Sequence, residues 1–524
     1  MSLPSSQIAI ELRDKLREIV GEAHVSQNDH DRMTYSRDNA PVLNLSYNEG
    51  RVGPLPDVIV WPANTEQVAQ IVRLANETRT PIVAFGAGSG VCGGVAPLRG
   101  GVTVDMKRMK KIVDLDEESL TVTAEAGILG QLLEMELNRR GCTMGHFPSS
   151  IYSSTLGGYL AARSAGQLSA KYGKMEDMVM GLEAVLGTGE VLRTPTAPRR
   201  PFGPDWNQIL IGSEGTLGVI TQATCRVRPY PPSRRFLSFL FPTIEAGVEA
   251  MRLIMRHDLR PAAVRLYDEL DTAIVGTSSK EGESKESVLN ALPTSQFGDL
   301  LASVLPGGLL PSAIKRVGRF LGQRADLINT LERFTKGCLL VATFEGDDEL
   351  TQEEATLAQL ICEKVGGKDK GPDPAMRWWK NRYHVSYFQS KVFYHGAIVD
   401  TIEFACTWRR VPQLYHAVRE AVRGLAFIMA HFSHAYLDGC SIYFTFVTSA
   451  TSIDKTEAAH RAVWDAAVGA CHRVGGTLSH HHGIGFTKAR FMYDEHGASM
   501  GLFQAFKKEM DPNGILNPGK MGLA

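Results

Sequence analysis

The sequence predicts an α+β protein in two parts, an N-terminal domain alternating short strands with helices and a C-terminal domain whose antiparallel sheet is covered by helices. Three observations carry the prediction. At 524 residues the chain exceeds what one hydrophobic core usually supports. From Pro56 onward, short β-branched runs are separated by helical periodicity as far as about Val227. Pro229-Tyr230-Pro231-Pro232 then punctuates the chain before a second series of strands and helices opens.

Residues 1–50 read as an N-terminal helical segment, with Ile8, Ile10, Leu12, Leu16 and Ile19 set among charges over residues 6–22, a surface helix bracing the fold. The first domain, residues 51–232, carries strands at Val58 to Val60, Ile82 to Ala84, Val102 to Asp105 and Leu120 to Ala124, with a helix from Thr65 to Glu77. The second, residues 233–500, carries strands at Phe236 to Phe241, Ala263 to Tyr267, Leu339 to Glu345 and Ser441 to Val447, and helices at Ile244 to His257, Thr351 to Val365 and Lys455 to Val474. Residues 275–330 form an irregular insert within it, and residues 501–524 are expected to return to the first domain. Within the insert, residues 297–323 set Leu300, Leu301, Leu309, Leu310 and Ile314 beside Lys315, Arg316 and Arg319. Packing on its own domain is the ordinary role of such a helix, and peripheral contact with a membrane is the other.

Lys plus Arg number 56 against 57 Asp plus Glu, so no bulk field attracts nucleic acid and the expected partner is a small molecule or lipid. The eight cysteines are scattered through apolar contexts without a C-x-x-C pair, which argues for reduced thiols and no metal cluster. Met1 to Arg13 does not read as a secretory signal, no apolar run reaches spanning length, and the final residues are not a peroxisomal S-K-L ending. A cytoplasmic, membrane-associable protein is expected.

Three segments of small residues lie in the first domain. Phe85-Gly86-Ala87-Gly88-Ser89-Gly90, continuing to Gly94, follows a strand and can turn backbone N–H groups toward a phosphate. A tight turn is the equal alternative, and no Gly-Lys-Ser/Thr makes it a P-loop. Pro148-Ser149-Ser150 and Ser154-Thr155-Leu156-Gly157-Gly158 supply hydroxyls ahead of a helix of small residues through Ala162. Gly212 to Thr221, containing Glu214, Gly215, Gly218, Val219 and Ile220, reads as a loop between two strands. Three such segments point to a large, extended ligand with a pyrophosphate.

With Pro56-Asp57-Val58-Ile59-Val60-Trp61-Pro62 ahead of them, the order of these segments resembles the two-part PCMH-type FAD-binding domain of vanillyl-alcohol-oxidase-type and 2-hydroxy-acid flavoenzymes. The resemblance implies that residues 84–90 wrap the pyrophosphate, that 149–155 and 162–165, including Ser164, line the flavin, and that Glu214 to Ile220 hold the ribityl and adenosine side. Relatives with covalent flavin use a histidine in the first segment or a cysteine in the second. Neither stands here, so FAD is expected to be noncovalent.

Three features mark the second domain. Arg265 sits on the apolar strand Ala263-Val264-Arg265-Leu266-Tyr267, where an unpaired charge is costly. It needs an anion, or a salt bridge to Asp268 or Glu269. His431, His434 and Tyr443 flank the entry to a strand, for which simple aromatic packing is the alternative. Ser479-His480-His481-His482-Gly483 places three imidazoles in a turn suited to proton handling or anion binding, and not to one metal ion held by all three. No metal site is expected.

These phrases, with Glu345-Gly346-Asp347, resemble the alkyldihydroxyacetonephosphate synthase family from about residue 50 to the C-terminus. The resemblance implies an alkyl transferase of ether lipid synthesis. N5 of the flavin would take C1 of acyl-dihydroxyacetone phosphate, and a fatty alcohol would replace the acid. Tyr443 would be the acid/base, Arg265 an electrostatic organiser, and His480, His481 and His482 binders of substrate and carriers of protons. A homodimer is expected. One departure stands out: Tyr387-Phe388-Gln389-Ser390-Lys391 carries an amide where the family has an arginine, a loss for which Lys391, Arg377 or Arg382 could compensate. The alternative is an FAD-dependent oxidase or dehydrogenase of a 2-hydroxy acid or another alcohol. Against its metal-dependent form, the stretch Leu437-Asp438-Gly439-Cys440-Ser441-Ile442-Tyr443 lacks the last histidine of the Gly-Asp-Gly-Asn-x-His phrase such enzymes carry.

Overall fold

A computed structural model describes residues 10–272, 337–383 and 397–523. The insert, the amphipathic stretch at 297–323, and Gln389 with Lys391 lie outside the described residues. The chain divides into a first unit of residues 1–230 and 481–524 and a second of residues 231–480. The return therefore begins at His481 and not at residue 501. Backbone N–H groups of Ile484 and Gly485 are already held by the carboxylate of Glu214, which fixes this stretch to the first unit.

In the first unit, β1 (Val25–Ser26), β2 (Val58–Val60), β3 (Ile82–Phe85) and β4 (Val102–Asp105) form a sheet of order β1-β2-β4-β3, with β2, β4 and β3 parallel. Continuous apolar strands suit a parallel sheet buried on both faces. The helix Thr65–Thr78 presents Val68, Ile71 and Val72 to this core, and Asn64 caps its start by accepting from the Gln67 N–H at 2.9 Å. Leu12, Leu16 and Val20 of the helix Ile10–Val20 join the same core, so the N-terminal segment is part of this unit. The C-terminal chain lies along β3: the Ile82 N–H donates to Ile515 and the Asn517 N–H to Ile82, both at 2.7 Å.

A second, antiparallel sheet contains β5 (Ile112–Asp116), β6 (Thr121–Glu125), β8 (Val179–Val185), β9 (Val191–Arg193) and β10 (Val219–Arg226) in the order β5-β6-β10-β8-β9. A short pair joins β7 (Cys142–Thr143) to β11 (Arg228–Pro229). Helix Trp206–Leu210 precedes the Gly212 loop, so that loop connects a helix to β10 and does not lie between two strands.

The second unit is built on seven strands: β12 (Ser233–Phe241), β13 (Ala263–Tyr267), β14 (Cys338–Gly346), β15 (Lys368–Asp369), β16 (Ala397–Thr407), β17 (Phe427–Ser433) and β18 (Gly439–Ser449). Their order is β15-β12-β14-β13-β17-β18-β16, antiparallel throughout. Alternation gives the sheet two unlike faces. Leu266, Leu340, Phe432, Ile442, Phe444, Ile402 and Phe404 share one face, and all are 0% exposed. Helices Ile244–Arg256, Asp348–Lys364, Val411–Val422 and Ile453–Val474 cover it. The opposite face carries Arg265, Tyr267, Thr343, His431, Ser433, Ser441, Tyr443, Thr401 and Glu403. Only the short helix Asp373–Asn381 packs there among the described helices, at the β12–β14 end.

Candidate functional site

In the first unit, segments far apart in sequence meet. Gly86 lies so close to Thr155 that a Cβ on residue 86 would stand 2.5 Å from the threonine Oγ1. Only glycine permits this approach. Gly88 follows with φ +64°, seated against the Phe85 ring, which itself packs on Tyr35. The N–H groups of Ala87, Gly88, Ser89 and Gly90 have no acceptor among the described residues. Such a run of free donors is an anion cradle. Asp38 braces its far end by accepting from the Ala40 N–H at 2.9 Å and the Gly94 N–H at 3.1 Å, and Lys107 Nζ donates to the Gly86 carbonyl at 2.8 Å.

Thr155 caps the helix Leu156–Ala161 by accepting from the Gly158 N–H at 3.2 Å, while the Gly157 N–H donates to Ala126. Ser154 donates to the Ser150 carbonyl, Ser149 accepts from Gln167, and the Ile151 N–H donates to Pro148, so the second segment is internally tied. Ala162 ends the helix. Beyond it the Ser164 hydroxyl is 2.8 Å from His146 Nε2. His146 is buried edge-on against Tyr159, and its Nδ1 has no partner among the described residues. Burial, with Lys174 nearby, pushes its pKa down to about 3, so the imidazole is neutral.

In the third segment Glu214 adopts φ +50°, and its carboxylate serves the 484–485 amides, where burial raises its pKa. Its backbone carbonyl accepts from Asn517 at 2.7 Å. Gly215 also has positive φ, and Gly218 lies against the Val185 carbonyl. Val219 and Ile220 begin β10 with side chains in the two hydrophobic cores. Their side chains are structural.

In the second unit, register sets Tyr267, His431, Tyr443 and Glu403 directly opposite one another across β13, β17, β18 and β16. Arg265 lies two residues from Tyr267 on the same face. The His431 and Tyr443 rings stack at 4.7 Å with an 18° interplanar angle. Arg265 Nη2 donates to His431 Nε2, and His431 Nδ1 lies 3.3 Å from Asp271. The expected salt bridge from Arg265 to Asp268 or Glu269 is not what forms. Asp268 accepts instead from Arg419 and from the Ala430 N–H, both at 2.8 Å. Burial raises the pKa of Tyr443 to about 12, opposed by a hydrogen bond to Thr401, and raises that of Asp271 to about 7, opposed by Arg265. Arg265 Nε, Thr343 Oγ1 and Ser441 Oγ are buried without partners among the described residues, so this face holds polar capacity the protein does not itself use.

Glu403, 0% exposed, accepts from the Ser479 hydroxyl at 2.6 Å and the His480 N–H at 3.3 Å. It ties His480 to the strand bearing Tyr443's cross-strand neighbour. The His480 ring is 3.1 Å from the Tyr436 hydroxyl and 5.1 Å, centroid to centroid, from His434. His481 and His482 fall in the first unit, with rings 4.5 Å apart. Glu403 and Asp271 were not singled out from the sequence. For Glu403 the signal is an acid inside a buried run, Ile402-Glu403-Phe404; Asp271, in Asp268-Glu269-Leu270-Asp271, carries no such signal. Arg382 stacks on Trp379 at 3.8 Å and donates to Tyr383 Oη at 2.9 Å.

The family described as FAD linked oxidases, C-terminal domain, matches residues 230–521. The chain belongs to the FAD-linked oxidases. The family's FAD binding domain matches residues 56–195. An alkyldihydroxyacetonephosphate synthase of Caenorhabditis elegans is 30% identical, across 90% of this chain and 76% of that protein. An uncharacterised FAD-linked oxidoreductase of Escherichia coli K12 is 27% identical across 97% of each. A solved alkyldihydroxyacetonephosphate synthase superposes with a TM-score of 0.75 at 26% identity, over 99% of this chain and 86% of that one. FAD is thus the cofactor, and the first unit fits it: N–H groups without an acceptor among the described residues suit a pyrophosphate, and the Ser164 hydroxyl follows a short helix that opens on Gly157 and Gly158. No helix among the described residues is long and apolar enough to cross a membrane.

Proposed function

We propose that the chain is an alkyl transferase of the alkyldihydroxyacetonephosphate synthase type, replacing the acyl group of acyl-dihydroxyacetone phosphate with a fatty alcohol. The observation that carries this reading is the partly buried row in which Tyr443 stacks on His431 beside Arg265. When bound, FAD supplies an electron-rich nitrogen able to take the substrate carbon without net redox change. The chain's residues supply proton handling and charge. With its pKa raised to about 12, Tyr443 keeps its proton at neutral pH and acts first as an acid. It protonates the departing carboxylate oxygen as the C1–O bond breaks. The incoming alcohol forms the new C1–O bond and returns its proton to Tyr443, so acyl ester and alcohol become ether and free acid. Arg265 faces the charge that develops on the leaving oxygen, and its Nε–H, without a partner among the described residues, is available to that acceptor. His480, held by Glu403, exchanges protons with solvent or substrate; His481 and His482 bind substrate.

We further propose that Pro148 to Gly158 and Ser164 line the flavin, that FAD is noncovalent, and that Arg377 or Lys391 offsets the loss of charge at Gln389. The similarity to an FAD-linked oxidoreductase over nearly the whole chain supports a second reading, oxidation of a 2-hydroxy acid or other alcohol. Anaerobic incubation with palmitoyl-dihydroxyacetone phosphate and hexadecanol decides between them. Ether product with unbleached flavin supports the transferase, and flavin bleaching by alcohols or hydroxy acids without ether supports the oxidoreductase.

A further inference from the structure

We infer that His431 is a positioning residue: it accepts from Arg265 through Nε2, donates through Nδ1 to Asp271, and so fixes the Arg265 guanidinium beside Tyr443. Guanidinium nitrogens are donors only, so the ring nitrogen facing Arg265 Nη2 must present a lone pair. A neutral imidazole then carries its proton on Nδ1, and Nδ1 is the atom that faces the Asp271 carboxylate at 3.3 Å. The ring also lies flat on Tyr443 at 4.7 Å. One side chain therefore sets both the direction of the cation and the plane of the phenol. Burial pushes the His431 pKa well below the ordinary histidine value, and Arg265 pushes it further. With one Nη directed to His431, Arg265 keeps its Nε–H, buried and without a partner among the described residues, for the ligand's acceptor. In this arrangement Asp271 selects the tautomer, the tautomer aims Arg265, and Arg265 meets the ligand. The kinetic part of this inference rests on the proposed role of Tyr443, whereas the tautomer does not.

Two variants separate the hydrogen bonds from the stack. His431→Gln offers a carbonyl to Arg265 and an amide to Asp271 but no ring, while His431→Phe keeps the ring and removes both hydrogen bonds. We expect the Phe variant to lose roughly 10- to 100-fold in kcat/KM, the scale set by hydrogen bonds to charged groups. The Gln variant should stay within about tenfold of the parent, and both should retain FAD. A Phe variant at least as active as the Gln variant overturns the inference, as does equal loss in the two. Should the Phe variant not fold, ¹⁵N NMR of the FAD-loaded parent with labelled histidine decides, the His431 signals being assigned by their loss in His431→Gln. A proton on Nδ1 alone supports the relay, and a proton on Nε2 or on both nitrogens overturns it. Failure of the parent to form ether would refute the proposed reaction while leaving the tautomer measurable.

Discussion

Replacing His146 with glutamine should flatten the acid sensitivity of the protein. His146 is buried, and its pKa of about 3 lies well below the ordinary histidine value near 6.5. The native state thus favours the neutral ring, and at low pH the unfolded chain takes up this proton preferentially. The stability it contributes is complete above the ordinary value and falls as pH drops from 6.5 toward 3. Each pH unit in that window costs about 1.4 kcal/mol, so lowering pH from 7 to 5 should remove about 2 kcal/mol through this residue. Glutamine can keep the hydrogen bond to Ser164 and does not titrate. Urea unfolding of both proteins, followed by flavin fluorescence at pH 7 and pH 5, isolates the contribution of His146, because other titrating groups are common to the pair. The parent should lose about 2 kcal/mol more than His146→Gln. Equal losses would refute the assignment of a buried neutral imidazole.

Gly86→Ala should abolish or severely weaken FAD retention, because the added Cβ would meet Thr155 Oγ1 at 2.5 Å; tight FAD binding by gel filtration would contradict the close approach. The purified protein should be yellow, and acid precipitation should release the colour into solution, whereas colour kept in the pellet would establish a covalent link. Tyr443→Phe should lower turnover by about two to four orders of magnitude while leaving FAD bound, and unchanged turnover would remove Tyr443 from the mechanism.

Strands of the first sheet were legible because continuous β-branched runs leave few alternatives: Val58–Val60 and Val102–Asp105 stand where the sequence placed them. Ala263–Tyr267 was equally clear. The partner of Arg265 was not, for a geometric reason. Asp268 lies three residues further along, an odd step that turns it toward the opposite side of the strand, where Arg419 of a covering helix meets it. The true partner, His431, and Asp271 behind it follow from pairing of β13 with β17 and from the turn after β13, and register of that kind leaves little local trace. The two-faced character of the sheet was written in Ser441-Ile442-Tyr443-Phe444-Thr445-Phe446, where polar and apolar residues alternate. That pattern, carried through Ile402-Glu403-Phe404, would have exposed Glu403. The return at His481 has no local sequence signal because it depends on Glu214, far away in the chain.

The central claim is that the flavin serves a transfer without net electron flow, and turnover counting under strict anaerobiosis tests it most directly. With palmitoyl-dihydroxyacetone phosphate and excess hexadecanol, and with no electron acceptor present, many molecules of ether and of palmitate should form per flavin, in equal amounts, with the oxidised flavin spectrum restored at the end. One product or fewer per flavin, accompanied by lasting bleaching that only an electron acceptor reverses, would contradict it.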